Sequence, residues 1–169
     1  MEKTFRKNTR VIRPATMEDF PEIREIFASA RTRMAEEGNP GQWGTDGPPV
    51  EKTLSDIRNG HCYVVTENEE IIGVFSFLPG EDPTYAKIDG AWPDDRPYGT
   101  IHRIAAGKKG AKMFRDVLDF CGSLSGVIRI DTHENNRTML SLMEKYGFRK
   151  CGTIRLENGE PRIAFQKNL

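Results

Sequence analysis

The sequence predicts one α/β domain in which helices pack on a mixed β-sheet. Three observations carry this expectation. Segments of helical and of strand periodicity alternate along the chain. The last two strand-like segments flank Asn158-Gly159, a strong hairpin signal. The length, 169 residues, is that of a single domain. A chain of this size buries roughly 70% of its unfolded surface, so it can hold a core without staples.

The elements follow in order. Residues 10–13 form a short strand ended by Pro14. Thr16 opens a helix, with Asp19 as its capping partner and Glu18 and Asp19 at the positive end of the dipole. Met17, Phe20, Ile23, Phe27, Ala30 and Met34 recur at helical spacing, and Gly38-Asn39-Pro40-Gly41 stops the run. A loop with Trp43 leads to a second helix, 50–58, closed by Asn59-Gly60. Residues 61–66 and 71–78, rich in β-branched and aromatic types, predict an antiparallel hairpin. The segment 79–99 carries four of the ten prolines and is expected to be a long loop with a short strand at 85–89. A strand at 100–106, a helix at 111–121, a strand at 127–131 and a helix at 135–146 come next. The hairpin of 149–156 and 162–166 closes the chain. Residues 1–9 are expected to be a flexible tail and 10–169 the domain.

Composition narrows the function. Twenty-five Lys+Arg against 25 Asp+Glu leave a formal net charge of +0. That balance argues against a general nucleic-acid binder and against an acidic disordered chain. No apolar run approaches the ~18 residues that span a membrane. The basic residues of 1–10 precede no apolar stretch, so no secretory signal is expected. Cys62, Cys121 and Cys151 are odd in number, widely spaced and without CxxC, which suits a reducing cytosol and no metal site. Buried thiols are usually inert, so these three are expected to pack rather than react.

The most informative stretch runs from Ile101 to Lys112: a strand, then Gly107-Lys108-Lys109-Gly110, then a helix start. Unpaired N–H groups at a helix start, glycines for a tight turn and lysine charges together suit a phosphate or pyrophosphate. Neither GxxxxGK[ST] nor GxGxxG is present. An ordinary connection with a solvated lysine cluster accounts for the same residues. A second stretch, Asp131 to Asn136, leads into a helix that either Asn135 or Asn136 can cap, and Gly147 supplies the left-handed turn after it.

The spacing Asn136-x-x-Met139-x-x-Leu142-x-x-Lys145-x-Gly147-Phe148 resembles the C-terminal motif of the GNAT superfamily of N-acetyltransferases. Ile12-Arg13-Pro14-Ala15-Thr16 with Asp19 resembles that family's first strand and helix start, and Ile72-Gly73 its second sheet strand. The element order matches as well, over about residues 10–167. The resemblance implies a fold with splayed central strands, acetyl-CoA as co-substrate and acetyl transfer to an amine. It implies a pantetheine arm between the strands 100–106 and 127–131, paired with backbone near Ile104, Ala105 and Ala106. It implies a pyrophosphate on Lys109, Gly110, Ala111, Lys112, Met113 and Phe114, and a contact from Asn136. Two positions depart from the family pattern. Lys109 stands first in the pyrophosphate loop where the family has Gln or Arg, and the loop's two glycines are lost. Met143 stands where many members have a tyrosine proposed to protonate the leaving thiolate.

Amine acetylation needs a neutral amine, donors for the developing oxyanion and a route for the amine proton. His102, His133 and Glu134 are the candidate bases. A histidine with an ordinary pKa can accept a proton near neutrality; the other reading of His102 is a histidine satisfied in the core. His133 and Glu134 stand at a strand end, where they could simply orient the turn. Trp43, Trp92 and Tyr98 lie in the two irregular segments, as acceptor contacts or as plugs on the core. Eight acids and one base fall in 67–95, whereas five bases and no acid fall in 103–115. An acidic region for a cationic acceptor would then adjoin a basic one for an anionic cofactor, unless both runs are merely solvated. The expected acceptor is an amine of a small molecule or peptide, with no nucleic acid, no membrane, no metal, and a homodimer compatible. A non-catalytic acyl-CoA-binding module and a nucleotide- or phosphate-binding regulatory domain remain open beside it.

Overall fold

The computed structural model describes residues 9–107 and 112–169. Among these residues, eight strands form one sheet: β1 Arg10–Pro14, β2 Cys62–Glu67, β3 Glu70–Pro79, β4 Asp89–Gly90, β5 Gly99–Ala106, β6 Val127–Thr132, β7 Arg149–Arg155 and β8 Pro161–Asn168. Their spatial order is β1-β2-β3-β5-β6-β8-β7-β4. The α-helices of the same residues, α1 Phe20–Glu36, α2 Val50–Arg58, α3 Phe114–Leu124 and α4 Arg137–Lys145, cover it.

The helices divide between the two faces. α1 and α2 bury Ile23, Ile26, Phe27 and Ile57 against Val64, Val74 and Ala105. α3 and α4 bury Phe114, Val117, Leu118, Cys121 and Met143 against Phe75, Phe77, Ile101, Ile128 and Phe165. Alternation along the strands explains the split, because successive side chains point to opposite faces. Gly73 is required by this packing: a Cβ there would lie 2.1 Å from Met113 Sδ.

Several expected boundaries shift for local reasons. A 3₁₀ turn, Met17–Asp19, precedes α1, whose first turn accepts Pro21. Tyr85 is not in a strand. Asp82 Oδ1 accepts from Thr84 N–H at 2.9 Å and Pro83 opens a 3₁₀ turn, Pro83–Tyr85, so the strand shrinks to β4. α3 begins only at Phe114, since Lys112 has φ +68°, which a right-handed helix cannot contain. Asn136, not Asn135, caps α4, its Oδ1 accepting from Met139 N–H at 3.0 Å. The tail expected at 1–9 lies outside the described residues except for Thr9, whose carbonyl accepts from Asn68 N–H at 3.0 Å.

Two irregularities shape the sheet centre. β3 and β5 lose register between Val74 and Ser76, so Arg103 and Ile104 together oppose Phe75. Arg103 takes φ +49° at this bulge. β5 and β6 are parallel but pair only through Gly99↔Ile128 and Thr100↔Arg129. Beyond Thr100 the two strands run apart, each still held by its other neighbour, β3 or β8. The sheet therefore splays in its middle.

Candidate active site

The splay opens into a cleft of about 1200 Å³ on the α1–α2 face. Its walls come from the loop between α1 and α2, the start of the long segment after β3, the middle of β5, the end of β6 and the β7–β8 turn. Three of these walls are loops, carried by strand and helix ends that the sheet holds in place.

His102 stands on β5 beside the bulge and lines the cleft. Its Nε2 lies 2.8 Å from Asp82 Oδ2. Burial works against the Asp82 carboxylate, but hydrogen bonds from His102 and from Thr84 outweigh it and lower its pKa to about 2. A carboxylate on Nε2 selects the tautomer with the proton there, which leaves Nδ1 as the acceptor nitrogen. Asp82 in turn is placed by its own backbone, whose N–H donates to Tyr98 Oη at 2.8 Å. Nearby, Tyr85 is buried and donates its hydroxyl to Asp131 Oδ2 at 2.7 Å. Burial and the Asp131 charge push the Tyr85 phenol well above its ordinary pKa.

Next to His102, the bulge aims Arg103 at α2. Asp56 Oδ2 accepts from Arg103 Nε at 3.0 Å, from Arg103 Nη2 at 2.6 Å and from Ser76 Oγ at 2.7 Å. This closed cluster fixes β5 at the point where the strand leaves β6. Cys62 lies beside it, and burial pushes its thiol up to about 12. Burial likewise raises Cys121 to about 12 and raises Cys151. None of the three is therefore a ready nucleophile.

The histidine and glutamate at the end of β6 are placed differently. His133 Nδ1 accepts from Asn135 N–H at 3.0 Å, so the ring caps its own turn. Glu134 is exposed. Neither stands among the residues that line the cleft, whereas His102 does. The aromatic residues part company too. Trp43 lines the cleft and packs edge-on to Phe27 at 5.5 Å. Trp92 and Tyr98 instead sandwich the Arg129 guanidinium, each ring centre 3.9 Å from it. Arg129 also donates to Gln166 Oε1 at 2.8 Å and to Asp94 O at 3.1 Å. The pair thus pins the long segment to the sheet and stays out of the cleft.

Eight carboxylates and three permanent cations line the cleft among the described residues. Only Glu81 and Asp82 come from the acidic run 67–95; the rest arrive from distant parts of the chain. Glu67 is turned away, its carboxylate 3.3 Å from Arg10.

A profile of the acetyltransferase (GNAT) family matches residues 20–148. The chain belongs to the GNAT acetyltransferase family. Solved structures agree with this GNAT fold. A GNAT-family acetyltransferase from Streptococcus agalactiae is 28% identical with a TM-score of 0.84, over 95% of both chains. One from Listeria monocytogenes is 20% identical with a TM-score of 0.71, again over 95% of both chains. A ribosomal-protein-alanine N-acetyltransferase from Brucella melitensis is 16% identical with a TM-score of 0.62, over 94% of this chain and 99% of that one. No curated protein sequence matches the chain.

A GNAT enzyme uses an acyl-CoA donor, and the splay fits one. Beyond Thr100, the β5 edge that faces β6 has no strand partner among the described residues, so its amide groups can pair with an extended amide-bearing chain. One of these groups is already engaged: the Ala106 carbonyl accepts from Arg33 Nη2 of α1. Arg33 was not legible as a site residue in the sequence. Ala105 is buried and Ile104 lines the cleft. Lys109, Gly110 and Ala111 lie outside the described residues. Lys112 is exposed, with its carbonyl 3.3 Å from Arg10 Nη1. Met113 and Phe114 bury their side chains in the GNAT core, so any phosphate contact there falls to backbone N–H groups.

Asn136 is tied down at both ends. Besides capping α4, its Nδ2 donates to Gln42 Oε1 at 2.9 Å. The same oxygen accepts from Asn39 Nδ2 at 3.0 Å, so Gln42 clamps the α1–α2 loop to the start of α4. Met143 sits in the core at 1% exposure. Tyr146 packs at a tilt against Phe114, ring centres 5.3 Å apart, and is absent from the cleft lining. Asp82, Asp131 and Arg162 are cleft residues that sequence reasoning missed. The signal available for Arg162 was its alternation with Gln166, two long polar residues on a strand whose other face is Ile163 and Phe165.

Proposed function

We propose that this acetyltransferase moves the acetyl group of acetyl-CoA to a primary amine of a small molecule or peptide, by direct attack and with His102 as the base. The observation that carries the reading is the His102–Asp82 pair on the cleft wall, next to the point where β5 leaves β6.

The bound donor would supply an activated thioester carbonyl. The protein's part is binding, orientation and proton handling. Backbone groups of Ile104, Ala105 and Ala106 would hold the pantetheine arm, with Asn136 keeping the Gln42 loop in place beside it. Lys109, Gly110, Ala111 and Lys112, with the backbone of Met113 and Phe114, would hold the pyrophosphate. Acidic side chains around the cleft mouth concentrate an ammonium. As the amine nitrogen bonds the acetyl carbon, the carbon–sulfur bond breaks and CoA leaves as a thiolate that takes up a proton from water. His102 Nδ1 takes the proton that the amine must lose, and Asp82 holds the ring in the tautomer that allows this and stabilises its charged form. His133 and Glu134, placed at the turn after β6, are weaker candidates for that role. Trp43 is the aromatic residue suited to contact the acceptor. Trp92 and Tyr98 would act on it only through the loop they pin.

The test is thiol release from acetyl-CoA over a panel of amines, with His102→Ala beside the native chain. His102→Ala should lower kcat/KM by roughly 10²-fold or more and flatten its pH dependence. Unchanged kcat/KM across pH would remove His102 as the base.

A further inference from the structure

One cation on the cleft wall has no part in this chemistry. Arg162, near the start of β8, is 4% exposed and lines the cleft. A guanidinium held out of water needs a close counter-charge. Its Nη1 donates to Pro161 O at 2.9 Å and its Nη2 to Gln42 O at 3.4 Å. The carboxylate against it is Glu160, at 3.3 Å from Nη2 and 51% exposed. A carboxylate half in water at that distance compensates a buried charge poorly. Arg103, in the same cleft, shows the contrast: it closes on buried Asp56 through two nitrogens at 3.0 and 2.6 Å. Arg103 is a finished ion pair, while Arg162 has fork donors to spare.

The neighbouring register adds a second feature. Asp131 on β6 pairs with Ala164 on β8, so Arg162 lies two residues further along on the same face. Such diagonal neighbours stand about 7–8 Å apart. Both line the cleft. The wall therefore carries Asp131, whose Oδ2 accepts from Tyr85, and Arg162 as neighbours on one face.

We propose that Arg162 reads a carboxylate on the acceptor, which makes the substrate class an amino carboxylic acid rather than a simple amine. The proposal rests on the acetyl-transfer reading above. The planar guanidinium matches a carboxylate through two parallel hydrogen bonds, and the substrate carboxylate takes the place of Glu160. The acidic remainder of the cleft then serves the ammonium end.

The experiment measures thiol release from acetyl-CoA with matched pairs, each an amino acid and the amine left when its carboxylate is removed. Native protein should favour the carboxylate-bearing member of a pair. Arg162→Gln should lower kcat/KM on that member by roughly 10- to 100-fold, through KM, and leave the decarboxylated amine unchanged. Arg162→Lys should recover part of the loss. If Arg162→Gln does not fold, Glu160→Gln supplies the test, since removing the competing carboxylate should lower KM only for carboxylate-bearing acceptors. Equal use of both members by native protein, or an equal loss on both in the variant, overturns the proposal and leaves acetyl transfer standing. Absence of thiol release with every member overturns the acetyl-transfer reading itself, and this proposal with it.

Discussion

At the residue scale, single carboxylates organise this molecule. Asp19 shows how one side chain serves several partners. Its oxygens accept from Arg13 Nη1 at 2.8 Å, from Arg13 Nη2 at 2.9 Å and from Thr16 N–H at 2.7 Å. The Arg13 hydrogen bonds lead, and together these partners lower its pKa to about 2 although burial opposes them. A depressed carboxylate pKa stabilises the fold above its unfolded value and loses that contribution as pH falls through the folded one. Asp19 should therefore contribute at most roughly 2 kcal/mol, present above about pH 4 and lost on the way to pH 2. In Asp19→Asn, urea midpoints measured from pH 6 to pH 2 should start lower and fall less. An unaltered slope would show that Asp19 is not the titrating group. The pairing of Thr16 with Asp19 was legible in the sequence because the partners are three residues apart. Asp82 with His102 was not, since the two stand twenty positions apart in the chain.

At the scale of elements, the bulge in β5 matters most. An arginine at φ +49° is a strained choice, and the buried Asp56 carboxylate holds it there with help from Ser76. Asp56→Ala should leave a largely buried guanidinium without its partner, at a cost of about 3 kcal/mol. For a domain of this size that corresponds to a fall in Tm of about 10 °C, readable by calorimetry. A fall of only a degree or two would mean that water satisfies Arg103 instead. Asp56→Asn should fall between the two, because shape survives and charge does not. Element types and order were legible from periodicity, whereas the splay was expected only through the GNAT resemblance. Periodicity does not state that β5 and β6 part after two residue pairs; that depends on the bulge and on the neighbours each strand keeps.

At the scale of the whole molecule, one continuous sheet joins two regions that could otherwise melt separately. Trp43 belongs to the α1–α2 side and Trp92 to the cluster of Tyr85, Ile154 and Ala164 near the far edge. Because β5 and β6 connect the halves, unfolding should be a single cooperative event. Trp43→Phe and Trp92→Phe, each leaving one fluorescent tryptophan, should give coincident urea transitions. Midpoints that separate would show that the narrow β5–β6 pairing lets the halves open independently.

The sequence by itself determined the mixed α/β class, the order of elements, the GNAT resemblance and the packing of the three cysteines. Each of these depends on local spacing or on the pairing of hydrophobic faces, which a linear string records. It also pointed to His102 and Trp43 as cleft residues. Tertiary structure alone decided which acids meet the cleft, which aromatics merely pin a loop around Arg129, and which base has an orienting carboxylate. Those outcomes depend on distances between residues far apart in the chain. They are set when the sheet brings the ends of β3, β5, β6 and β8 together, and Arg162 beside Asp131 exists only as a consequence of that register.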